Sequence, residues 1–339
     1  MKMEKIGVIA PYWSDLKIDE LKDFTVRAEK LGYDSAWIPE MWGRDPLSLL
    51  TMLAATTSKI RLCTGIISVF NRTPATIASA MATLDEITGG RAVLGLGASG
   101  SIVIENWHGI EFKNPLQRTR EYIEIRRLIL SGKRVNYSGK IFDLRGFKLQ
   151  FTPPRAEIPI FVAAMGPKNV ELTGELADGW IPFLIPHSQI ASAKELLEKG
   201  AQRSSRNLEQ LSIAPYIPAC VHDDIEAANR VIKEHIAHYV GGMGVYYAQA
   251  ISRWGFETEA QNITQAYKES DKKKAIEGVS DELLKAVSVS GDGSQARDSI
   301  ERFRKAGADL PILMFPPKAT REMVLSTLEE LAPSRSRFD

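Results

Sequence analysis

Cysteine is nearly absent: Cys63 and Cys220 are the only two in 339 residues. That scarcity excludes a disulfide framework and a cysteine-built zinc site. Excess charge of one sign is missing as well, with 43 Lys and Arg against 42 Asp and Glu for a formal charge of +1. Such a balance argues against a nucleic-acid binder, whose affinity rests on clustered basic side chains. No run of about 18 apolar residues occurs, so no membrane span is expected. At the start, Met1-Lys2-Met3-Glu4-Lys5 leads into Ile6-Gly7-Val8-Ile9-Ala10, too short an apolar run for a signal peptide and better read as a strand. Low-complexity tracts and fixed-period repeats are missing too. What remains is 44% hydrophobic and 25% charged, the composition of a chain that buries a large core. The expectation is a soluble, cytoplasmic globular protein.

What is present is a rhythm. Short β-rich apolar runs alternate with stretches of helical spacing. Strands are expected at 6–12, 35–39, 60–68, 91–97, 158–165, 179–183, 211–221 and 310–315. Between them, Ile18, Leu21, Phe24, Ala28 and Leu31 fall at helical spacing up to Gly32. Pro46 and Pro74 open further helices, and Gly89-Gly90 ends the second of these. Residues 132–158 break the alternation and read as an excursion, a candidate hairpin. Residues 241–290 have helical character and no convincing strand, and read as an insertion. Strand and helix alternating eight times, with continuously apolar strands, give an α/β fold: a (β/α)8 TIM barrel, one domain over 1–339 with those two insertions. A doubly wound open sheet is the runner-up.

In such a barrel the reactive groups lie just past the strand ends. These are Tyr12 and Trp13, Glu40 to Trp42, Gly65 to Ser68, Gly97 to Ser101, Ala164 to Lys168, Phe183, Tyr216, Phe315 and Pro316. Neither paired carboxylates nor a nucleophile with its base is spelled out, and an aromatic, glycine-rich rim suits a planar apolar ligand. Gly95-Leu96-Gly97-Ala98-Ser99-Gly100 would let backbone approach a ligand, or be a plain turn; no helix is expected directly after it. In Ala163-Ala164-Met165-Gly166-Pro167-Lys168-Asn169, Pro167 opens a helix and Lys168 stands beside its N-terminus. That combination is an anion site suited to phosphate, or simply a helix start with a solvated lysine. Glu40, among aromatic residues, is a candidate acid or base; the plainer reading pairs it with a rim arginine such as Arg44. His108, in the loop expected after the fourth strand, is a second proton donor or a solvated histidine. His235 and His238 share a helix without a third ligand signal, so no metal site is expected.

Several tracts together resemble one family. They are Trp37-Ile38-Pro39-Glu40-Met41-Trp42-Gly43-Arg44-Asp45, Thr64-Gly65-Ile66, Thr83 through Arg91, Gly95 through Gly100, Gly166-Pro167-Lys168-Asn169-Val170 and Glu175 through Trp180. Over nearly its whole length the chain resembles the luciferase-like monooxygenase superfamily. Within it the likeness is to the coenzyme F420-dependent oxidoreductase branch, with similarity to the methylene-tetrahydromethanopterin reductases.

The resemblance implies a coenzyme stacked in the barrel mouth, with its phosphate near Gly166 and Lys168. It also implies a bulge with a non-prolyl cis peptide at Gly65-Ile66 supporting the ring. The cofactor-binding set it implies is Thr64, Gly65, Ile66, Gly97, Ala98, Ser99, Gly100, Ala164, Met165, Gly166, Pro167 and Lys168, with Glu40 and His108 as catalytic candidates. Some relatives carry Asp or His where Glu40 stands, so the substrate is not inherited. The expected activity is hydride exchange between coenzyme F420 and a small organic substrate of the alcohol, aldehyde or C1-carrier class. The alternative is an FMN-dependent monooxygenase. A homo-oligomer, dimer or tetramer, is expected, with neither nucleic acid nor membrane as partner.

Overall fold

The computed structural model describes residues 5–11 and 13–333, so Tyr12 of the expected rim lies outside the described residues. In chain order the elements are β1 (Gly7–Ile9), α1 (Ile18–Lys30), β2 (Ser35–Ile38), α2 (Pro46–Ala54), β3 (Arg61–Thr64), β4 (Ile67–Ser68), α3 (Pro74–Thr88), β5 (Ala92–Gly97) and α4 (Pro115–Leu130). There follow β6 (Val135–Ser138), β7 (Asp143–Phe147), β8 (Ile160–Ala163), α5 (Pro167–Leu176), β9 (Gly179–Ile181), α6 (Ile190–Arg203), β10 (Ser212–Ile213) and β11 (Tyr216–Val221). The chain closes with α7 (Ile225–Ala237), α8 (Val245–Arg253), α9 (Glu257–Lys268), α10 (Lys272–Glu277), α11 (Asp281–Val287), β12 (Val289–Gly291), α12 (Gly293–Lys305), β13 (Ile312–Met314) and α13 (Arg321–Glu330).

Two compact units form. One comprises Ser35–Trp180 and Leu196–Leu211. In it β2, β3, β5 and β8 pair in parallel in that order, and β4 adds to β5. Trp37, Leu62, Leu94 and Val162 are fully buried, as strands covered on both faces require. Proline starts the helices: Pro46 and Pro74 sit in first turns whose N-caps, Asp45 and Thr73, accept from the N–H of Ser48 and Thr76. Gly89 ends α3 in the left-handed conformation, where a side chain would be strained. The excursion at 132–158 contains the antiparallel hairpin β6–β7.

Two expectations are corrected here. The third run is two strands, because the backbone turns at Gly65–Ile66, whose peptide is cis. The stretch after β5 is no loop: a helical turn begins at Ser101 and continues as a π-turn over Val103–Trp107, so a helix does follow the glycine run promptly. Only Ile104 of that turn is buried, too little for apolar periodicity to register. The four-residue hairpin turn is pinned by Glu121 of α4, which accepts from the N–H groups of Lys140, Ile141 and Phe142 at 2.7, 3.0 and 2.9 Å.

The other unit comprises the chain up to Asp34, Ile181–Glu195, and everything from Ser212 onward. Its strands β1, β13, β11 and β12 pair in parallel, again with buried apolar faces. The expected run 211–221 divides into β10 and β11 at Ala214-Pro215, since proline cannot donate to a ladder. The segment 241–290 is indeed helical, but it runs into β12, which pairs Val289 with Ala219. Val-Ser-Gly is too short to announce itself by alternation. Tyr33 Oη donates to the carbonyl of Leu328, tying the chain after α1 to α13.

Candidate functional site

The site is built on the strand ends of the first unit described. Past β2, Glu40 folds toward the β3–β4 turn, its N–H donating to the Ile66 carbonyl at 3.2 Å; on the other side of the bulge, Gly65 N–H donates to Ile38 O at 2.7 Å. These two bonds hold the cis Gly65–Ile66 peptide against the end of β2. Glu40 is held from three directions. Its Oε1 accepts from Arg72 Nε at 2.7 Å, and its Oε2 accepts from Ser68 N–H and Asn71 Nδ2, both at 3.0 Å. The Glu40 side chain is only 7% exposed, so those charge-assisted bonds replace water. The arginine that pairs with it is Arg72, not Arg44.

Arg72 also grips Asp45, the N-cap of α2. Burial alone would push Asp45 toward its neutral acid. The Ser48 N–H and hydroxyl together with Arg72 prevail, holding its carboxyl below the usual carboxylate range. Burial opposes the charge of Arg72, and its two carboxylates more than restore it. Tyr122, buried behind them, has its phenol pushed far up by burial, with the Glu40 charge adding to the effect.

Asn71 links this cluster to the other catalytic candidate. Because its Nδ2 donates to the Glu40 carboxylate, the amide orientation is fixed, and the same nitrogen lies 3.3 Å from His108 Nε2. Nε2 therefore accepts, and the ring proton is assigned to Nδ1. Glu40 and His108, widely separated in sequence, thus meet through one side chain.

The remaining predicted residues divide into exposed and internal ones. Thr64 is fully buried, and its hydroxyl is engaged with Gly95, accepting from N–H at 2.8 Å and donating to O at 2.9 Å. A Cβ on Gly97 would crowd Ile66 at 3.0 Å, so this glycine serves close strand packing. Ala164 is buried, with its carbonyl taken by Trp180 Nε1. Ala98, Ser99 and Gly100 emerge from β5, Ser99 in the left-handed region at φ 63°. Met165 and Gly166 are half-buried; Pro167 and Lys168 are exposed on the first turn of α5, whose N-cap Gly166 brings no side-chain cap. Residues missed from sequence are Ser68, Asn71 and Arg72 as partners of Glu40. Their position at the end of the third strand run and just past it was the signal available.

A planar, anionic coenzyme fits these features. A Cβ added at Gly100 or Gly166 would meet nothing within 4 Å, leaving open space over both. Asn71 Oδ1 and Asn169 Oδ1 are buried acceptors with no donor among the described residues. Trp42 and Trp107 stand 53% and 62% exposed, an arrangement that a ligand would cover. Among the described residues, no group of three or more His, Cys, Asp or Glu is placed to hold a metal ion.

Comparison with known proteins then decides the family. The model of the luciferase-like monooxygenase family matches residues 6–310. The chain belongs to that family. A protein of Mycobacterium tuberculosis named a coenzyme F420-dependent oxidoreductase is 32% identical over 327 residues, 91% of this chain and 94% of the relative. A 5,10-methylenetetrahydromethanopterin reductase of Archaeoglobus fulgidus is 33% identical over 86% of this chain and 88% of its own. The solved structure of the coenzyme F420-dependent tetrahydromethanopterin reductase of Methanopyrus kandleri superposes with a TM-score of 0.84 at 25% identity, covering 99% of both chains. The expected α/β barrel of the luciferase-like family is therefore the fold. Among the described residues no helix is long and apolar enough to cross a membrane.

Proposed function

We propose that this chain is a coenzyme F420-dependent oxidoreductase that exchanges a hydride between the deazaflavin and a small organic substrate of the alcohol, aldehyde or C1-carrier class. The observation that carries this reading is that Glu40 and His108, joined through Asn71, stand in a chain that matches F420-dependent relatives over about nine-tenths of its length. When bound, the coenzyme supplies a ring carbon able to take or give a hydride. The chain supplies position and hydrogen bonds. Gly65, Ile66 and the Ala98–Gly100 backbone would hold the ring, and Lys168 with the uncapped first turn of α5 would hold phosphate.

His108 is the catalytic residue of choice. Asn71 fixes its tautomer, so Nδ1–H is the group that would hydrogen-bond a substrate oxygen and stabilise the charge that builds there as a carbonyl is reduced, while solvent supplies the proton and the neutral ring keeps its own. Glu40 acts through Asn71 and Arg72 as a positioning residue. The chain is expected to work as a homo-oligomer. The test loads the protein with F420 and screens alcohols, aldehydes and C1 carriers for substrate-dependent bleaching. His108→Ala should bind coenzyme with unchanged affinity and bleach at least about 100-fold more slowly, the usual scale of one hydrogen-bond donor aimed at developing charge. Bleaching at the wild-type rate would remove His108 from the mechanism.

A further inference from the structure

Arg118 stands apart from its neighbours. Arg72, Arg120 and Arg155 all pair with carboxylates, and Arg126 donates to the carbonyl of Ile158. The half-buried guanidinium of Arg118 has no hydrogen-bonded or ion-paired partner among the described residues, and its Nε is buried with no acceptor. It lies instead against two rings, 4.8 Å from the Phe70 centroid and 5.2 Å from that of Phe142. Aromatic faces hold a guanidinium in place without neutralising it. Glu121, one turn further along α4, does not fill the gap, because its carboxylate is saturated by Gln117 and the three hairpin N–H groups. Burial accordingly lowers the Arg118 pKa, and the distant pull of Glu121 does not restore it.

The surroundings are built rather than accidental. Glu121 fixes the hairpin turn, and a Cβ on Gly139 would fall 2.4 Å from its Oε2, so the turn can approach only without a side chain there. That turn presents Lys140 and Ile141. On the other wall, Phe112 stacks on Phe70 at 4.9 Å and 21°, fixing the segment that carries Ile110, Glu111 and Lys113. Together they border an open surface cleft of about 290 Å³. Three cations face it against one carboxylate, Glu111, which stands 3.7 Å from Lys113 Nζ.

We infer that this cleft is an oxyanion subsite that takes a carboxylate or phosphate group of the substrate, with Arg118 as its fork. The inference rests on the oxidoreductase reading, and it narrows the substrate to an anionic small molecule. The link to the reacting centre is covalent continuity. Phe70 immediately precedes Asn71, and Ile110 follows His108 by two residues, so the segments that orient His108 also shape the cleft.

Inorganic phosphate is the probe, titrated by phosphorus NMR into the full chain at constant ionic strength, with and without saturating F420. The expected result is binding that Arg118→Gln weakens about tenfold, the scale of one charge-assisted contact, and that Arg118→Lys restores only in part. Lys113→Gln with Lys140→Gln, both exposed and so without burden on folding, should weaken it about threefold and flatten its salt dependence. F420 affinity should be unchanged in all three, and phosphate should bind the loaded protein as well as the free one. Equal phosphate affinity in wild type and variants would overturn the subsite. Competition between phosphate and F420 would assign the oxyanion to the coenzyme and overturn the substrate assignment. If phosphate binds through Arg118 while F420 does not bind at all, the subsite stands and the deazaflavin reading falls.

Discussion

At the scale of single residues, the most informative fact is how completely Glu40 is engaged. A carboxylate that accepts from Arg72, Ser68 and Asn71 while 7% exposed is committed to shaping the 68–72 loop. Glu40→Gln cannot satisfy all three donors, because its amide nitrogen would face one of them. The variant should lose about 1–3 kcal/mol of stability as well as turnover, read by thermal denaturation beside the bleaching assay. Retained stability with turnover alone lost would make Glu40 the proton carrier instead. Lys168→Ala, an exposed change, should leave stability untouched and raise the F420 dissociation constant several-fold, with a shallower salt dependence. Unchanged affinity would remove Lys168 from the phosphate contact. From sequence, Glu40 and Lys168 stood out as strand-end residues, and His108 as a histidine in the loop after the fourth strand run. The Asn71 bridge was not, because it depends on which rotamer packing selects, and spacing in sequence carries nothing of that.

At the scale of elements, several tracts that carried the family resemblance prove to be structural anchors. Asp85 of the Thr83–Arg91 tract is fully buried and bound by Arg155 Nε at 2.9 Å, while Arg91 donates to the carbonyls of Thr57 and Ile60. Glu175 of the Glu175–Trp180 tract binds Arg120 through two bonds of 2.6 Å. Motif density therefore marks where the fold is tied as much as where chemistry occurs. Helix packing supplies the sharpest test. A Cβ on Gly174 of α5 would sit 2.0 Å from Leu197 O, and one on Gly200 of α6 would sit 1.8 Å from Glu171 O, so the two backbones touch. Gly174→Ala and Gly200→Ala should each destabilise by about 1–3 kcal/mol despite alanine's better helix propensity. A raised melting temperature in either would contradict the close approach. The alternation of strands and helices was readable in advance because buried parallel strands are continuous apolar runs. The three-residue β12 and the Ser101–Trp107 turn escaped, since neither is long enough to show a period.

At the scale of the whole molecule, composition bounded the answer, and the eightfold alternation of strand and helix pointed to the barrel fold that the superposition on the tetrahydromethanopterin reductase shows. Titration adds one global consequence. His235 on α7 is 4% exposed, among Phe183 and Tyr239, and burial brings its pKa down from 6.5 to about 3. Between those pH values the unfolded chain binds a proton that the folded chain refuses. His235 thus costs no stability above pH 6.5, and stability falls as pH drops through the window, by at most about 1.4 kcal/mol per pH unit. Denaturant midpoints measured from pH 7 to pH 4 should show this slope, and His235→Phe should flatten it. An identical slope in the variant would place the acid sensitivity elsewhere.

The central claim is the coenzyme, and one titration meets it directly: purified chain against F420 and, separately, against FMN, followed by fluorescence. Micromolar F420 binding with FMN far weaker is the expected result. Preferential binding of FMN would contradict it, turning the same barrel toward oxygen chemistry.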